Sequence, residues 1–346
     1  MTGARIDDPG SVRANSPLPA IIVGAGLMGR WHAHAVAHSG GTVMAVVDQD
    51  LTRATNLARR YAGAAAFGDV ESALATGASG VVHLCTPLST HGPLALAALR
   101  ARAHVLGETP LAEDLRSARE LLDTAKSVGR LICPVHQLLF QPGALLAASL
   151  LPSLGSLRHL EAEVCSTGAE HSLASADEVA LEILPHALAL AARFCPGLIT
   201  EAEWSYRTPS PGELVVGASV GEVNVTARIS TRGRPPVNAL RLVAEGGTIH
   251  LDLFHGFALV DRTSASRTMK IARPAFFAAR LATATVTNLA GRVIRQEPAY
   301  PGLRELVRRF YVAAATGGPS PIPDEETRAV ADVWSALRAR VLTGAR

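Results

Sequence analysis

The chain has 346 residues, 33 basic and 30 acidic side chains for a net charge of +3, and a composition 48% hydrophobic and 18% charged. That length suits two domains better than one core. The charge balance, without basic runs interleaved with aromatics, argues against a nucleic-acid partner, and no apolar run approaches the roughly 18 residues of a membrane span.

Residues 1–19 are polar, carry Pro9, Pro17 and Pro19, and lack the apolar core of a secretory signal, so they are expected to form a mobile extension. Cys85, Cys133, Cys165 and Cys195 are too dispersed for a zinc site or a disulfide framework. No metal is expected, and a reducing, cytoplasmic setting fits.

From residue 20 to about 135, short apolar runs alternate with amphipathic stretches. Strands are expected at 20–23, 42–47, 80–85, 103–106 and 130–135, and helices near 27–38, 51–61, 90–100 and 113–127. This rhythm predicts a doubly wound parallel sheet, whose ligand crevice lies at the carboxyl ends of the strands. The segments 86–91, 107–110 and 136–141 therefore belong near a ligand.

After residue 141 the character changes. A helix, a strand over 157–165, a helix over 177–194 and several β-rich runs between 199 and 260 predict an α+β domain with a large, mainly antiparallel open sheet. One face of such a sheet needs a cover, and a second subunit is expected to provide it, giving a homodimer or homotetramer. Three helices, near 274–290, 303–315 and 325–342, end the chain. The first is basic and amphipathic, with Lys270, Arg273, Arg280, Arg292 and Arg295 around Phe276, Phe277, Leu281 and Leu289. Such a helix can lie on a membrane, but packing beside the sheet or over a substrate mouth is the expectation.

The most specific motif is AIIVGAGLMGRWHAHA at residues 20–35. Gly24 permits a tight turn off the strand, Gly26 lets the backbone approach a pyrophosphate, and Gly29 lets the following helix pack closely, with its N-terminus facing the anion. Asp48 ends the next strand, 19 residues beyond Gly29, where a carboxylate accepts hydrogen bonds from adenosine ribose hydroxyls. Gly24, Gly26, Leu27, Met28, Gly29 and Asp48 are thus candidate cofactor contacts. Asp48 favours NAD(H) over NADP(H), with Arg53 leaving room for the latter.

These residues, together with CTPLSTHGPLALAALRARAHVLGETPLAEDL and LEILPHALAL, resemble the Gfo/Idh/MocA family of glucose-fructose oxidoreductase and inositol dehydrogenase relatives. The resemblance implies a Rossmann domain at 20–140 and a substrate and oligomerisation domain at 141–346. It also implies hydride transfer between a nicotinamide and a sugar, cyclitol or related polar alcohol or ketone. Thr86, Pro87, His91 and Glu108 would line the nicotinamide side, although His91 reads equally as a structural group.

The family usually reads Glu-Lys-Pro where this chain reads Glu108-Thr109-Pro110. Thr109 can hydrogen-bond but cannot titrate near neutrality. The only lysines are Lys126 and Lys270, neither well placed to replace the lost one. His186 is therefore the leading proton-transfer candidate, with Glu182 one helical turn earlier expected to orient or charge it. His136 and Gln137 follow the last Rossmann strand and are further candidates; His171, Tyr206 and Arg207 are weaker ones. Two other readings stand beside this one: an imine or conjugated-bond reductase that needs no lysine, and a non-catalytic, cofactor-sensing binding protein.

Overall fold

The computed structural model describes residues 18–77, 80–166, 174–195, 197–262, 267–297 and 299–344. Its first layer is a six-stranded sheet of β1 (Leu18–Val23), β2 (Gly41–Val47), β3 (Ala65–Phe67), β4 (Val81–Leu84), β5 (His104–Gly107) and β6 (Ile132–Pro134). All pairs are parallel, in the order β3-β2-β1-β4-β5-β6. The intervening helices are α1 (Leu27–Ala37), α2 (Leu51–Ala58), α3 (Val70–Ala75), α4 (Leu88–Arg100) and α5 (Leu115–Ser127). The order reverses between β1 and β4, and that switch point opens the ligand crevice.

Local chemistry sets several helix starts. The side chains of Asp50, Asp69 and Asp114 accept backbone N–H groups at the N-termini of α2, α3 and α5, each such cap being worth about 1 kcal/mol. The β strands are apolar on both faces because helices cover both sides: Ile21, Ile22, Val81, Val82, Val105 and Leu106 are all fully buried. β3 and α3 lie between the elements expected from sequence; both are too short to show a clear period. β1 begins at Leu18, so the last two residues of the expected N-terminal extension are strand, and residues 1–17 lie outside the described ones.

A 3-10 turn (Gln137–Phe140) and α6 (Pro142–Leu150) lead into the second layer. Its seven strands are β7 (Leu157–Cys165), β8 (Ser205–Arg207), β9 (Glu213–Val220), β10 (Val223–Ser230), β11 (Val237–Ala244), β12 (Gly247–Asp252) and β13 (Phe257–Arg262), in the order β13-β12-β11-β7-β10-β9-β8. Every pair is antiparallel except β7 with β10. Between β7 and β8 run α7 (Ala176–Phe194) and the short α8 (Leu198–Glu201). A capping box starts α7: the Ser175 hydroxyl accepts from Glu178 N, and the Glu178 carboxylate accepts from Ser175 N.

Residues alternate along these strands: Leu160, Ala162 and Val164 of β7 and Leu214, Val216 and Ala218 of β9 are buried on one face. That face packs on α6 and α7. The protein's own helices therefore cover one side of the sheet.

α9 (Arg267–Arg295) is longer than the sequence pattern suggested. It lies across the opposite face at the β12–β13 edge, where Phe277 meets the His250 ring edge-on at 5.3 Å and Arg280 donates to the Val260 carbonyl. α10 (Pro301–Thr316) and α11 (Asp324–Thr343) then return to the nucleotide-binding layer, α10 onto α1 and α11 onto α5 and α7. Arg328 reaches Asp123 of α5 at 2.9 Å, and the Trp334 indole donates to the Leu181 carbonyl of α7 at 2.8 Å.

Candidate active site

The glycine cradle has the shape its residues require. Gly24 sits at φ +97°, and a Cβ there would lie 2.4 Å from the Cys85 carbonyl oxygen; one on Gly29 would lie 1.8 Å from the Gly24 carbonyl oxygen. Gly26 has nothing within 4 Å of its Cβ position. The loop is thus locked on two sides and open on the third, at a helix start with no side-chain cap, which leaves α1 N–H groups directed at an anion. Leu27 is exposed, Met28 half-buried and Gly29 buried.

Asp48 holds the cradle from the end of β2. Its Oδ2 accepts from Ala25 N at 2.8 Å and its Oδ1 from Asp50 N at 2.9 Å. Each carboxylate oxygen keeps a lone pair for a ribose hydroxyl, so the residues fit a bound dinucleotide. Arg53 is exposed and turned to Asp50 at 3.4 Å.

On the other side of the switch point, Thr86 and Pro87 lie between β4 and α4, with Pro87 at the N-cap of the helix. The Thr90 hydroxyl lies 2.7 Å from both the Thr86 hydroxyl and the Pro87 carbonyl, donating to the carbonyl and accepting from Thr86. His91 is buried, with its ring nitrogens 2.8 Å from the Thr86 and Pro110 carbonyls. It ties the two crevice loops together and has no ring nitrogen left for a ligand.

Glu108 follows β5, and here the structure contains a device the sequence analysis missed. Glu108 Oε1 lies 3.0 Å from His32 Nε2, His32 Nδ1 lies 2.9 Å from His83 Nδ1, and His83 Nε2 lies 2.9 Å from the Tyr311 hydroxyl. The two histidines are fully buried. One hydrogen per link closes the chain: Tyr311 donates to His83, His83 to His32, and His32 to Glu108. Burial holds the His83 pKa well below its ordinary value and pushes that of Tyr311 well above, so both stay neutral. The sequence signal was present in VVHL at residues 81–84: a histidine inside a buried parallel strand demands a partner.

Thr109 and His186 meet across the two layers, Oγ1 to Nε2 at 3.3 Å. The His186 ring lies edge-on to that of His136, centroids 5.8 Å apart. Burial lowers the His186 pKa, opposed by the Glu108 carboxylate; burial lowers that of His136 further, aided by His186 and Arg193. His186 Nδ1, His136 Nδ1 and Gln137 Oε1 are buried with no hydrogen-bond partner.

Glu182 does not perform its expected part. It is exposed and makes no hydrogen bond to His186 among the described residues; the carboxylate that acts on His186 is Glu108. Partial burial, and then the Glu178 carboxylate, raise the Glu182 pKa, opposed by His91 and Arg338. Tyr206 is held by α11, its hydroxyl donating to the Arg340 carbonyl at 3.0 Å, and Arg207 is exposed. Lys126 is an exposed residue in the last turn of α5, Lys270 falls in the first turn of α9, and His171 lies outside the described residues. Also missed was Tyr300, which packs on Trp31 with centroids 5.7 Å apart; its pKa is raised by burial and then by Glu108, which places it at the crevice.

The cradle, Asp48 and the doubly wound sheet define an NAD-binding Rossmann domain. Residues 18–136 match the GFO_IDH_MocA model, described as "Oxidoreductase family, NAD-binding Rossmann fold". D-glucoside 3-dehydrogenase of Escherichia coli (strain K12) is 34% identical over 124 residues, 35% of each chain. Inositol 2-dehydrogenase 4 of Saccharopolyspora erythraea is 36% identical over 124 residues, 35% of this chain and 37% of its own. The alignment thus spans about a third of the length of these curated relatives. The fold is shared over nearly the whole chain. The WlbA dehydrogenase from Bordetella pertussis, solved with NADH and UDP-GlcNAcA, superposes with a TM-score of 0.74 at 14% identity, covering 95% of this chain and 97% of that one. UDP-N-acetylglucosamine 3-dehydrogenase GnnA from Acidithiobacillus ferrooxidans gives 0.70 at 19% identity, covering 93% and 96%.

Proposed function

We propose that the protein is an NAD(H)-dependent oxidoreductase that interconverts a secondary alcohol and a ketone in a sugar, cyclitol or related polar small molecule, with His186 handling the substrate proton. The observation that carries this reading is the position of His186: it faces Thr109 at 3.3 Å, between Glu108 and His136, with Nδ1 unpartnered. The sugar and cyclitol dehydrogenase names of the relatives favour the same substrate class.

Bound NAD(H) supplies the hydride acceptor or donor. The chain's own work is to place it and to move a proton. Gly24, Gly26, Leu27, Met28 and Gly29 cradle the pyrophosphate, Asp48 takes the ribose, and Thr86, Pro87 and Glu108 line the nicotinamide side, while His91 braces that wall. In oxidation the hydroxyl proton passes to neutral His186, and Thr109 steers the substrate oxygen by a hydrogen bond without itself titrating. A lowered pKa suits His186 to act as the base at neutral pH, because the unprotonated ring predominates there. His136 and Gln137 offer further polar contacts.

We place the site between a dinucleotide-binding domain at 20–140 and a substrate domain at 141–346, whose last helices brace the first. A homodimer or homotetramer through the open sheet and a cytoplasmic location complete the reading; all four cysteines are unpaired, which suits a reducing compartment. Purified protein is tested for NADH formation against a panel of sugars, nucleotide sugars and cyclitols, with His186→Ala as control. Turnover of one polyol, abolished in the variant, supports the reading; tight NADH binding without turnover of any of them defeats it.

A further inference from the structure

We propose that Glu108 is the counter-ion of an imidazolium formed on His186, and that the buried chain of His32, His83 and Tyr311 is a positioning device that keeps Glu108 in that role. This role rests on the alcohol oxidation proposed above, in which the hydride leaves with the bound cofactor and the hydroxyl proton stays on His186. The ring then carries a positive charge where its Nδ1 is buried without a partner and its Nε2 meets the Thr109 hydroxyl at 3.3 Å. A cation so placed needs an anion nearby, because its surroundings solvate it poorly. Glu182, on the same helix, stands exposed and makes no hydrogen bond to the ring among the described residues. Glu108 directly precedes Thr109, whose hydroxyl touches that ring. Burial lowers the His186 pKa, and the Glu108 carboxylate is the group that opposes it.

The chain behind Glu108 fixes both its charge and its place. His32 Nε2 donates to Glu108 Oε1 at 3.0 Å, a bond that favours the carboxylate over the acid. That donation requires the His32 hydrogen on Nε2, so Nδ1 must accept. The His83 Nδ1–H supplies the donor at 2.9 Å, and the Tyr311 hydroxyl, 2.9 Å from His83 Nε2, holds His83 in that tautomer. Without His83 the other tautomer of His32 becomes accessible, and its bare Nε2 would face the lone pairs of the carboxylate and repel it. Among the described residues no lysine or arginine lies within ion-pair distance of Glu108, whose one such contact is His32. Cys85 and Tyr300 also feel the carboxylate; burial first and then Glu108 raise their pKa values, so both stay uncharged. The ring packed on His186, that of His136, is held neutral by burial and then by His186 and Arg193. The charge of Glu108 is thus left for His186.

The test reads the His186 ring itself and needs no substrate. Full-length protein carrying isotope-labelled histidine is titrated by NMR, with His186→Ala assigning the resonance among the 12 histidines. Glu108→Gln is expected to move the His186 titration to lower pH. His83→Phe is expected to move it the same way, and the double variant no further than Glu108→Gln alone, since both act through one carboxylate. His83→Asn keeps an N–H for His32 Nδ1 and is expected to titrate near wild type, a rescue that a merely structural role would not give. Where His83→Phe does not fold, Tyr311→Phe takes its place, because it releases the His83 tautomer, and a shift in the same direction is expected. In turnover, His83→Phe should lower kcat about tenfold with NADH affinity unchanged. A His186 titration unmoved by Glu108→Gln overturns the counter-ion, and one moved by Glu108→Gln but by neither His83→Phe nor Tyr311→Phe overturns the positioning chain. The absence of turnover of any polyol, alongside these shifts, would overturn the oxidation and not the pairing.

Discussion

His32 and His83 face each other through like atoms, Nδ1 to Nδ1 at 2.9 Å. Two neutral imidazoles satisfy that contact only if one is the Nδ1–H tautomer and the other is not. Glu108 at one end and Tyr311 at the other set which is which. The pair thus joins α1 and β4 to α10, and holds the crevice carboxylate from behind. Replacing His83 by Phe strands His32 Nδ1 and the Tyr311 hydroxyl in a dry interior. The expected cost is about 1–3 kcal/mol, read by denaturant titration. Tyr311→Phe strands only His83 Nε2 and is expected to cost about 1 kcal/mol. Equal stability of all three proteins would refute the network as a structural element.

The same burial makes stability depend on pH in a definite direction. His83, His136 and His186 have lowered pKa values in the folded protein, and that of His104 is lowered to about 4, each chiefly by burial. An unfolded histidine titrates near about 6.5. Below that value the unfolded chain binds protons that the folded one refuses, so these groups favour folding above about pH 6.5, and that contribution is lost as pH falls from there through the folded values. Denaturant midpoints are expected to fall steadily on acidification below about pH 6.5, and His83→Phe to show a shallower slope. A midpoint flat over that range would contradict it.

His186 is expected to dominate the kinetics. His186→Ala should lower kcat by about 10²-fold or more with cofactor binding intact. Because its pKa is lowered, the acidic limb of the wild-type rate of alcohol oxidation should fall below about pH 6.5, where an unperturbed histidine would titrate. Activity is lost as pH drops through that limb, since protonation removes the base. Glu182→Gln, by contrast, should leave rate and pH profile unchanged, because the carboxylate that acts on His186 is Glu108 and not Glu182. A large loss on Glu182→Gln would restore the orienting role that the sequence suggested.

Helical spacing paired Glu182 with His186, yet the side chain that meets His186 is Thr109 and the carboxylate that acts on it is Glu108. The i, i+4 spacing places two residues on one side of a helix but not at one depth, and α7 is buried deeply enough that small rotations decide which side chain reaches the crevice. The Rossmann domain was legible because all of its longer elements carried their own signal: apolar strands, amphipathic helices, and three glycines whose spacing has one steric meaning. The partnership of Glu108, His32, His83 and Tyr311 was not legible, since its members lie up to 228 residues apart between neighbours and only the folded α10 brings the last one in. The same holds for α10 and α11, whose periodicity announced helices but not that they would fold back on α1 and α5.

Thr109 offers a direct test of how the missing lysine is compensated. Its hydroxyl touches His186 at 3.3 Å, a long hydrogen bond, so Thr109→Ala should cost no more than about tenfold in kcat/KM, close to 1.4 kcal/mol. Thr109→Lys introduces a cation beside His186 and should depress the His186 pKa further, moving the acidic limb to lower pH. An unshifted limb would mean that the new side chain turns away from the imidazole.

Asp48 and Gly29 test the cofactor cradle from two directions. Asp48→Ala removes the acceptor for Ala25 N and Asp50 N as well as for a ribose, and is expected to weaken NADH binding about tenfold or more by fluorescence titration. It should also narrow any preference over NADPH, because the carboxylate that would repel a 2′-phosphate is gone. Gly29→Ala acts on shape alone: its Cβ would fall 1.8 Å from the Gly24 carbonyl oxygen, a backbone atom that cannot swing aside. Relief requires α1 to move off β1, which would also pull His32 away from His83 and Glu108. The variant should therefore lose NADH binding altogether and melt earlier than Asp48→Ala, whereas wild-type affinity in Gly29→Ala would show that α1 and the cradle do not pack as closely as this geometry requires.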